Sequence, residues 1–235
     1  MALVKYGAGI VQMSGSIAGD VHARNRFGNY IRPRTKPVNP HSTRQEKSRT
    51  IVSFLAEYWH GDLIDTQRGL WRDYANSVIM KNRLGESIHL TGFNHFIRSN
   101  SAQLRMAEAV IPDAPTILNL PEKDPLLVCS EEDIAAQTFS FTCDTDGWAP
   151  NGDTKFGILL YQGEPQLASR NFFAGPWRYM DFIDATEGAA GTGTVAAGFP
   201  FALGQRVWFQ ARVMTLSGRL SQRWSLVERD IEADV

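Results

Sequence analysis

The sequence predicts an α+β protein with an extended N-terminal arm, a small helical module and a C-terminal antiparallel β-sandwich. Three observations predict it. Gly and Pro punctuate residues 1–41, a helical apolar period runs through 42–110, and the period changes to two beyond 126. A chain of 235 residues with 43% hydrophobic content has enough apolar surface to bury a core.

Residues 1–41 are expected to form the basic docking arm. Gly7, Gly9, Gly15, Gly19 and Gly28 separate short runs such as GIVQMSGSI and NRFGNYIR, which suit edge strands or a hairpin. Pro33, Pro37 and Pro40 then hold RPRTKPVNP extended, because each Pro fixes its own φ and restricts its predecessor. An extended strip exposes backbone donors and acceptors to the edge or groove of another protein.

Residues 42–110 read as three helices. Ser42 or Thr43 caps the first, about 44–59, with Ile51, Val52, Phe54, Leu55, Tyr58 and Trp59 at helical spacing; Gly61 ends it. Asp65 or Thr66 caps the second, about 66–80, which carries Leu70, Trp71, Tyr74, Ala75 and Val78 on one face. Thr91 caps the third, about 92–108, with Phe93, Phe96, Ile97, Leu104 and Met106. Trp59, Trp71, Phe93 and Phe96 are expected in the helical core.

IPDAPTILNLPEKDP, residues 111–125, reads as a Pro-rich linker. From 126 to 235 the expected strands are TFSFTC (138–143), KFGILLYQ (155–162), WRYMDFI (177–183), RVWFQARVMT (206–215) and WSLVERDI (224–231), and LPEKDPLLV adds a candidate. In RVWFQARVMT, Val207, Phe209, Ala211 and Val213 alternate with Arg206, Trp208, Gln210 and Arg212, which predicts one buried and one exposed face. LSGRLS is its hairpin turn. Short antiparallel strands separated by Gly, Asp and Asn predict a β-sandwich.

The charge is sorted along the chain. Residues 1–50 hold nine basic and two acidic side chains, a net +7. Residues 51–110 hold six of each, and residues 111–235 hold nine basic and seventeen acidic, a net −8. Unlike ends on one nearly neutral chain favour pairing within a molecule or head to tail between neighbours.

Constellations that carry chemistry are missing from the sequence. It has no G-x-S-x-G, Walker loop, H-E-x-x-H or C-x-x-C, so no enzyme and no cofactor are expected. His22, His41, His60, His89 and His95 are scattered and read as surface or capping residues rather than metal ligands. DTDGWAPNGD (144–153) sets Asp144 and Asp146 like the start of a calcium loop. Asp153 is a third acid at its end, but its Gly stands fourth rather than sixth and no Glu stands twelfth, so the stretch reads as a wide hairpin loop. GAAGTGT (188–194) reads as a flexible loop. Cys129 and Cys143 are too few for a disulfide framework and read as ordinary thiols of a reducing compartment. No apolar run reaches the roughly 18 residues of a bilayer span, and MALVKYGAGIVQMSGS reads as structure rather than a signal.

Two resemblances add to this. G-S-I-x-G-x-x-x-A-R-N-R-x-G-x-Y-x-R-x-R followed by K-P-V-N-P resembles a set of phage, prophage and environmental viral proteins. Trp59, Gln67, Arg68 and Trp71 continue the likeness, with the Trp59–Gln67 spacing slightly expanded. Gly92, Phe93, Asn94, Phe96 and Asn100 complete it, so that it covers roughly residues 7–105. VWFQARVMTLSGRLS (207–221) resembles the closing strand and turn of a fibronectin type III or immunoglobulin-like module. Together they imply a virion structural protein, above all a capsid decoration protein. Its partners would be capsid, tail or connector subunits and copies of itself, with no membrane. Arg24, Arg26, Tyr30, Arg32 and Arg34 are the expected docking residues. A tail, collar or connector protein is the second placement. A glycan or host-surface module using Trp148, Trp177 and Trp208 is another class. A nucleic-acid binder is the last, with the basic arm on phosphates and Phe27 and Tyr30 on bases. Against it, the helix at 66–80 offers only Arg68 and Arg72 near its start, beside Asp73.

Overall fold

The computed structural model describes residues 2–82, 84–148 and 154–232. Residues 2–33 form a four-stranded antiparallel sheet rather than an extended arm. Its strands are β1 (Ala2–Val4), β2 (Gly15–Ile17), β3 (Asp20–Asn25) and β4 (Gly28–Pro33), in the order β1-β4-β3-β2. Gly28, at φ 118°, takes a backbone conformation that a side chain would resist. At the β3–β4 turn the Asn25 side chain accepts the Phe27 N–H at 2.9 Å. Local turn chemistry thus outweighs the Gly-rich composition that suggested an arm. No residue of the four strands is buried. Only residues 34–42 run without regular structure into the helices.

Helix α1 spans Thr43–Gly61, with the Ser42 hydroxyl accepting the Gln45 N–H at 3.4 Å. Helix α2 spans Asp65–Ser77. Its cap is Ile64, not Asp65 or Thr66, because the Gln67 side chain accepts the Ile64 N–H at 3.2 Å. The chain then pairs β5 (Met80–Lys81) with β6 (Ser87–Ile88) where the sequence continued the helix. Helix α3 spans Gly92–Arg105 and is capped by Thr91, which accepts the Asn94 N–H at 3.1 Å. Phe96 is the hub of the helical core, with ring centroids 5.3 Å from Trp59 and 5.6 Å from Trp71. Leu55, Leu63, Tyr74 and Val78 complete it, and Phe93 packs half-buried at its edge. Val52, Phe54 and Leu70, expected on the apolar faces, stay exposed.

Beyond the helices follow β7 (Val128–Asp133), β8 (Thr138–Thr142), β9 (Lys155–Gly163), β10 (Gln166–Leu167) and β11 (Trp177–Ile183). Helix α4 (Ala185–Ala190), β12 (Thr192–Ala196), β13 (Gln205–Val207), β14 (Phe209–Thr215), β15 (Trp224–Ser225) and β16 (Arg229–Asp230) complete the described chain. The pairing is antiparallel throughout, in sheets ordered β11-β9-β14-β15, β12-β8-β7 and β10-β13-β16. The protein is therefore α+β. GAAGTGT is not a loop. Asp184 caps α4 by accepting the Thr186 and Glu187 N–H groups at 2.8 Å, and the stretch runs from that helix into β12.

Strand β9 is buried on both faces. Ile158 and Leu160 join Phe139, Phe141, Val195, Phe209, Ala211 and Val213 in one core. Leu159 and Tyr161 join Met214, Leu220 and, from α3 and its C-cap, Ala102 and Met106 in another. Helix α3 thereby serves the helical core with Phe96 and the sheet with Ala102 and Met106. The expected exposed face of β14 is accordingly half covered. Gln210 and Arg212 are half-buried, and Trp208, just before β14, is buried against Phe173 with ring centroids 5.3 Å apart.

The Pro-rich segment is also packed rather than loose. The Trp71 indole N–H donates to the Pro112 carbonyl at 2.9 Å. The Asn100 side chain accepts the Ile111 N–H at 2.7 Å and donates to its carbonyl at 3.2 Å. Asp124, its carboxylate fully enclosed, takes the Lys155 ammonium at 2.7 Å and the Leu126 and Asp144 N–H groups at 3.0 and 3.2 Å.

Candidate functional site

The expected docking residues all lie on the β1–β4 sheet or at its margin, but they do not form one patch. Directly paired residues of an antiparallel sheet share a face. Arg24 pairs with Asn29 and shares a face with His22 and Ile31; Tyr30 pairs with Ala23 and Arg32 with Val21 on the opposite face. Arg26 sits in the β3–β4 turn, and Arg34 follows β4, its N–H donating to the Gly19 carbonyl at 2.7 Å. Arg24, Arg26, Arg32 and Arg34 are exposed and Tyr30 is half-buried. Arg24 reaches Gln12 at 3.0 Å, and the Tyr6 hydroxyl meets the His22 ring at 3.1 Å. The sheet meets the β5–β6 hairpin, where Lys5 pairs with Glu86.

Among the described residues, no ion pair joins residues 1–50 to residues 111–235. The acidic half spends part of its charge on its own arginines. Arg206 forks onto Asp230 at 2.6 and 2.8 Å, and Arg229 meets Glu132 at 2.5 Å.

A second cationic region was not foreseen. It lies along the seam between the helices and the β11-β9-β14-β15 sheet. At one end Arg98 of α3 donates to the Ser221 carbonyl at 2.6 Å, and Arg223 stands 4.2 Å over the Tyr161 ring. Arg98 Nη1 and Arg212 Nε are buried without a hydrogen-bond partner among the described residues. Burial, with the charges of Arg212 and Arg223 adding to it, lowers the Arg98 guanidinium to about 9. His95, one turn earlier, is fully buried with both ring nitrogens unpartnered. Burial foremost, then the charges of Arg98 and His89, lowers it to about 4, so it is neutral at pH 7.

At the other end the seam opens into a cleft of about 510 Å³ between α1 and β11. Arg44, Lys47, Arg105 and Arg178 line it, with Asp181 as the acid. Arg105 stands 5.5 Å over the Tyr179 ring and reaches the Ser48 hydroxyl at 3.4 Å. Arg178 lies 3.5 Å over the Phe199 ring and donates to the Gly198 carbonyl at 2.9 Å, which Arg44 also approaches at 3.5 Å. The one sequence signal was Arg44, Lys47 and Ser48 on adjacent helical positions. Their partners stand 57 and more residues away, so only the tertiary fold assembles the site.

The other candidates resolve differently. Trp148 and Trp208 are buried and Trp177 is half-buried, so these three do not make an exposed sugar platform. Lys155 stands 2.7 Å from Asp124 and 4.0 Å from Asp144, which puts an ammonium where a calcium reading would put a metal; Asp153 lies outside the described residues. No group of three or more His, Cys, Asp or Glu among the described residues is placed to hold a metal. Arg68 is used within the helices, donating to the Trp59 and His60 carbonyls at 2.9 and 3.4 Å. Both thiols are unpaired, and burial pushes Cys129 up to about 12 and Cys143 to about 11, which leaves them inert at neutral pH. No helix of the described residues is long and apolar enough to cross a membrane.

No family model matches the chain, and no curated protein matches it. Among solved structures it is similar to the twitchin kinase region from C. elegans at 11% identity and TM-score 0.33, over 48% of this chain and 17% of that one. It is also similar to a chain described as a myokine structure at 10% identity and TM-score 0.31, over 48% of this chain and 99% of that one. Likenesses at this level carry no argument about fold or function.

Proposed function

We propose that this chain is a non-enzymatic structural protein of a tailed-phage virion, above all a capsid decoration protein, which docks through its N-terminal sheet. The observation that carries the reading is a four-stranded sheet without one buried side chain. A sheet needs at least one covered face to hold its strands, and this one exposes Ile17 and, in the β1–β2 connection, Ile10 and Val11. Its free arginines suit an acidic surface, and residues 111–235 of a neighbouring copy carry a net −8. The viral resemblance of residues 7–105 supports the same setting. We further infer that β11-β9-β14-β15 and β12-β8-β7 make an immunoglobulin-like sandwich closed around Phe139, Phe141 and Phe209.

The test is quantitative mass spectrometry of density-purified particles from the source that encodes the chain. Copy numbers on the order of hundreds place it across the capsid; about six to a few dozen place it in a tail, collar or connector. Absence from the particles overturns the virion reading.

A further inference from the structure

The cleft between α1 and β11 concentrates positive charge without neutralising it. Four cations line it against Asp181 alone, and among the described residues none of the four is ion-paired with a carboxylate. Asp181 is itself engaged locally, accepting the Phe182 N–H at 3.0 Å. Arg44 and Arg178 converge on one neutral acceptor, the Gly198 carbonyl. Burial first, and the nearby charge of Arg178 second, lower the Arg44 guanidinium pKa. Like charges held this close are a cost to the folded protein that a bound oxyanion removes.

The walls define the rest of the ligand. Trp177 and Tyr179 offer aromatic surface, Ile51 and Met180 offer apolar surface, and Ser48 offers a hydroxyl. A volume of about 510 Å³ is that of a small-molecule site rather than a lone inorganic ion. Arg105 already lies over the Tyr179 ring, so the cationic and aromatic parts are contiguous. We propose that this cleft binds a small organic phosphate, with Arg44, Lys47, Arg105 and Arg178 on the phosphate and Trp177 and Tyr179 against the organic body. The site is separate from the β1–β4 sheet, so it stands or falls independently of the docking reading.

Isothermal titration of the full chain at low salt tests it, with phenyl phosphate, inorganic phosphate and a hexaglutamate peptide as probes. The expected result is saturable 1:1 binding of phenyl phosphate, at least about tenfold tighter than inorganic phosphate. Lys47 is exposed and makes no side-chain hydrogen bond or ion pair among the described residues, so Lys47→Ala keeps the fold and weakens phenyl phosphate about tenfold. Arg105→Ala weakens it similarly, and the double change Arg24→Ala with Arg26→Ala on the remote sheet leaves it unchanged. Three results overturn the proposal. One is no saturable phenyl phosphate binding up to about 10 mM. Another is affinity that survives Lys47→Ala, or falls as much in the remote double variant, which marks diffuse charge attraction. The third is hexaglutamate binding tighter than phenyl phosphate, which assigns the cleft to an acidic protein segment.

Discussion

A Cβ added at Gly92 would stand 2.8 Å from the Arg72 backbone nitrogen and 2.9 Å from the Trp71 carbonyl carbon. Backbone cannot step aside as a flexible side chain does, so Gly92 sets how closely α3 approaches α2. Gly92→Ala should cost about 1–3 kcal/mol, the range for overpacking, and denaturant unfolding with an unchanged m-value checks it. The same residue-scale view explains the other motif positions that suggested a family. Gln67 caps α2 and donates to Asp113 at 3.0 Å, Arg68 satisfies the end of α1, and Asn100 clasps Ile111. These side chains brace the scaffold. Their polar character made them legible in the sequence as unusual, while their partners, up to 46 residues away, were not. His95 carries a pH prediction. Its folded pKa, about 4, lies below the 6.5 of the unfolded chain, so the unfolded state binds the extra proton. Stability must therefore fall as pH drops from 6.5 to 4, by up to about 3 kcal/mol. His95→Leu should flatten that part of the Tm-against-pH curve; an unaltered slope would assign the acid sensitivity elsewhere.

Helix α3 is the element that makes one body of the helices and the sheet. Phe96 and Met106 are both buried, the first in the helical core and the second against Leu159 and Met214. Met106→Ala and Phe96→Ala should each cost about 2–5 kcal/mol. Each should lower one shared transition, followed at once by amide hydrogen exchange in helix α2 and in strand β9. Separate shifts of the two probes would mean two independent folding units. Helix positions were legible because the apolar period is strong in α1, α2 and α3. The covering of β14 by α3 was not, since alternation in a strand reports one apolar face and says nothing of a half-polar face roofed by a helix. KFGILLYQG did carry the hint, being apolar without alternation, as a strand buried on both sides should be. Helix α4 was also readable. Asp184 and Glu187 stand three apart as a capping box, but the glycines that follow drew the reading towards a loop.

At the scale of the whole molecule, the sorted charges and the bare sheet lead to one experiment. The charge gradient was legible from composition by segment. That the basic end folds into a sheet, and that its arginines divide between two faces, depends on turn geometry and register, which a count of residues does not contain. Among the described residues the sheet's ion pair to the rest of the chain, Lys5 with Glu86, is exposed and screened by solvent, so it contributes little to holding the sheet in place. The helical and sheet cores draw no buried residue from 2–40. Removing residues 1–40 should therefore leave the unfolding transition of the remaining chain within about 1 kcal/mol of its original value, since the lost segment holds no core. The truncated chain should lose its place in particles or oligomers, because it has lost the docking sheet. Binding of the full chain should weaken steeply with salt between about 50 and 500 mM, as expected of exposed charges across an interface. The two readouts separate the explanations. A truncated protein that unfolds early would make the sheet part of the fold. One that remains folded and still assembles at full occupancy would move the docking surface elsewhere and end the assembly role argued for the basic sheet.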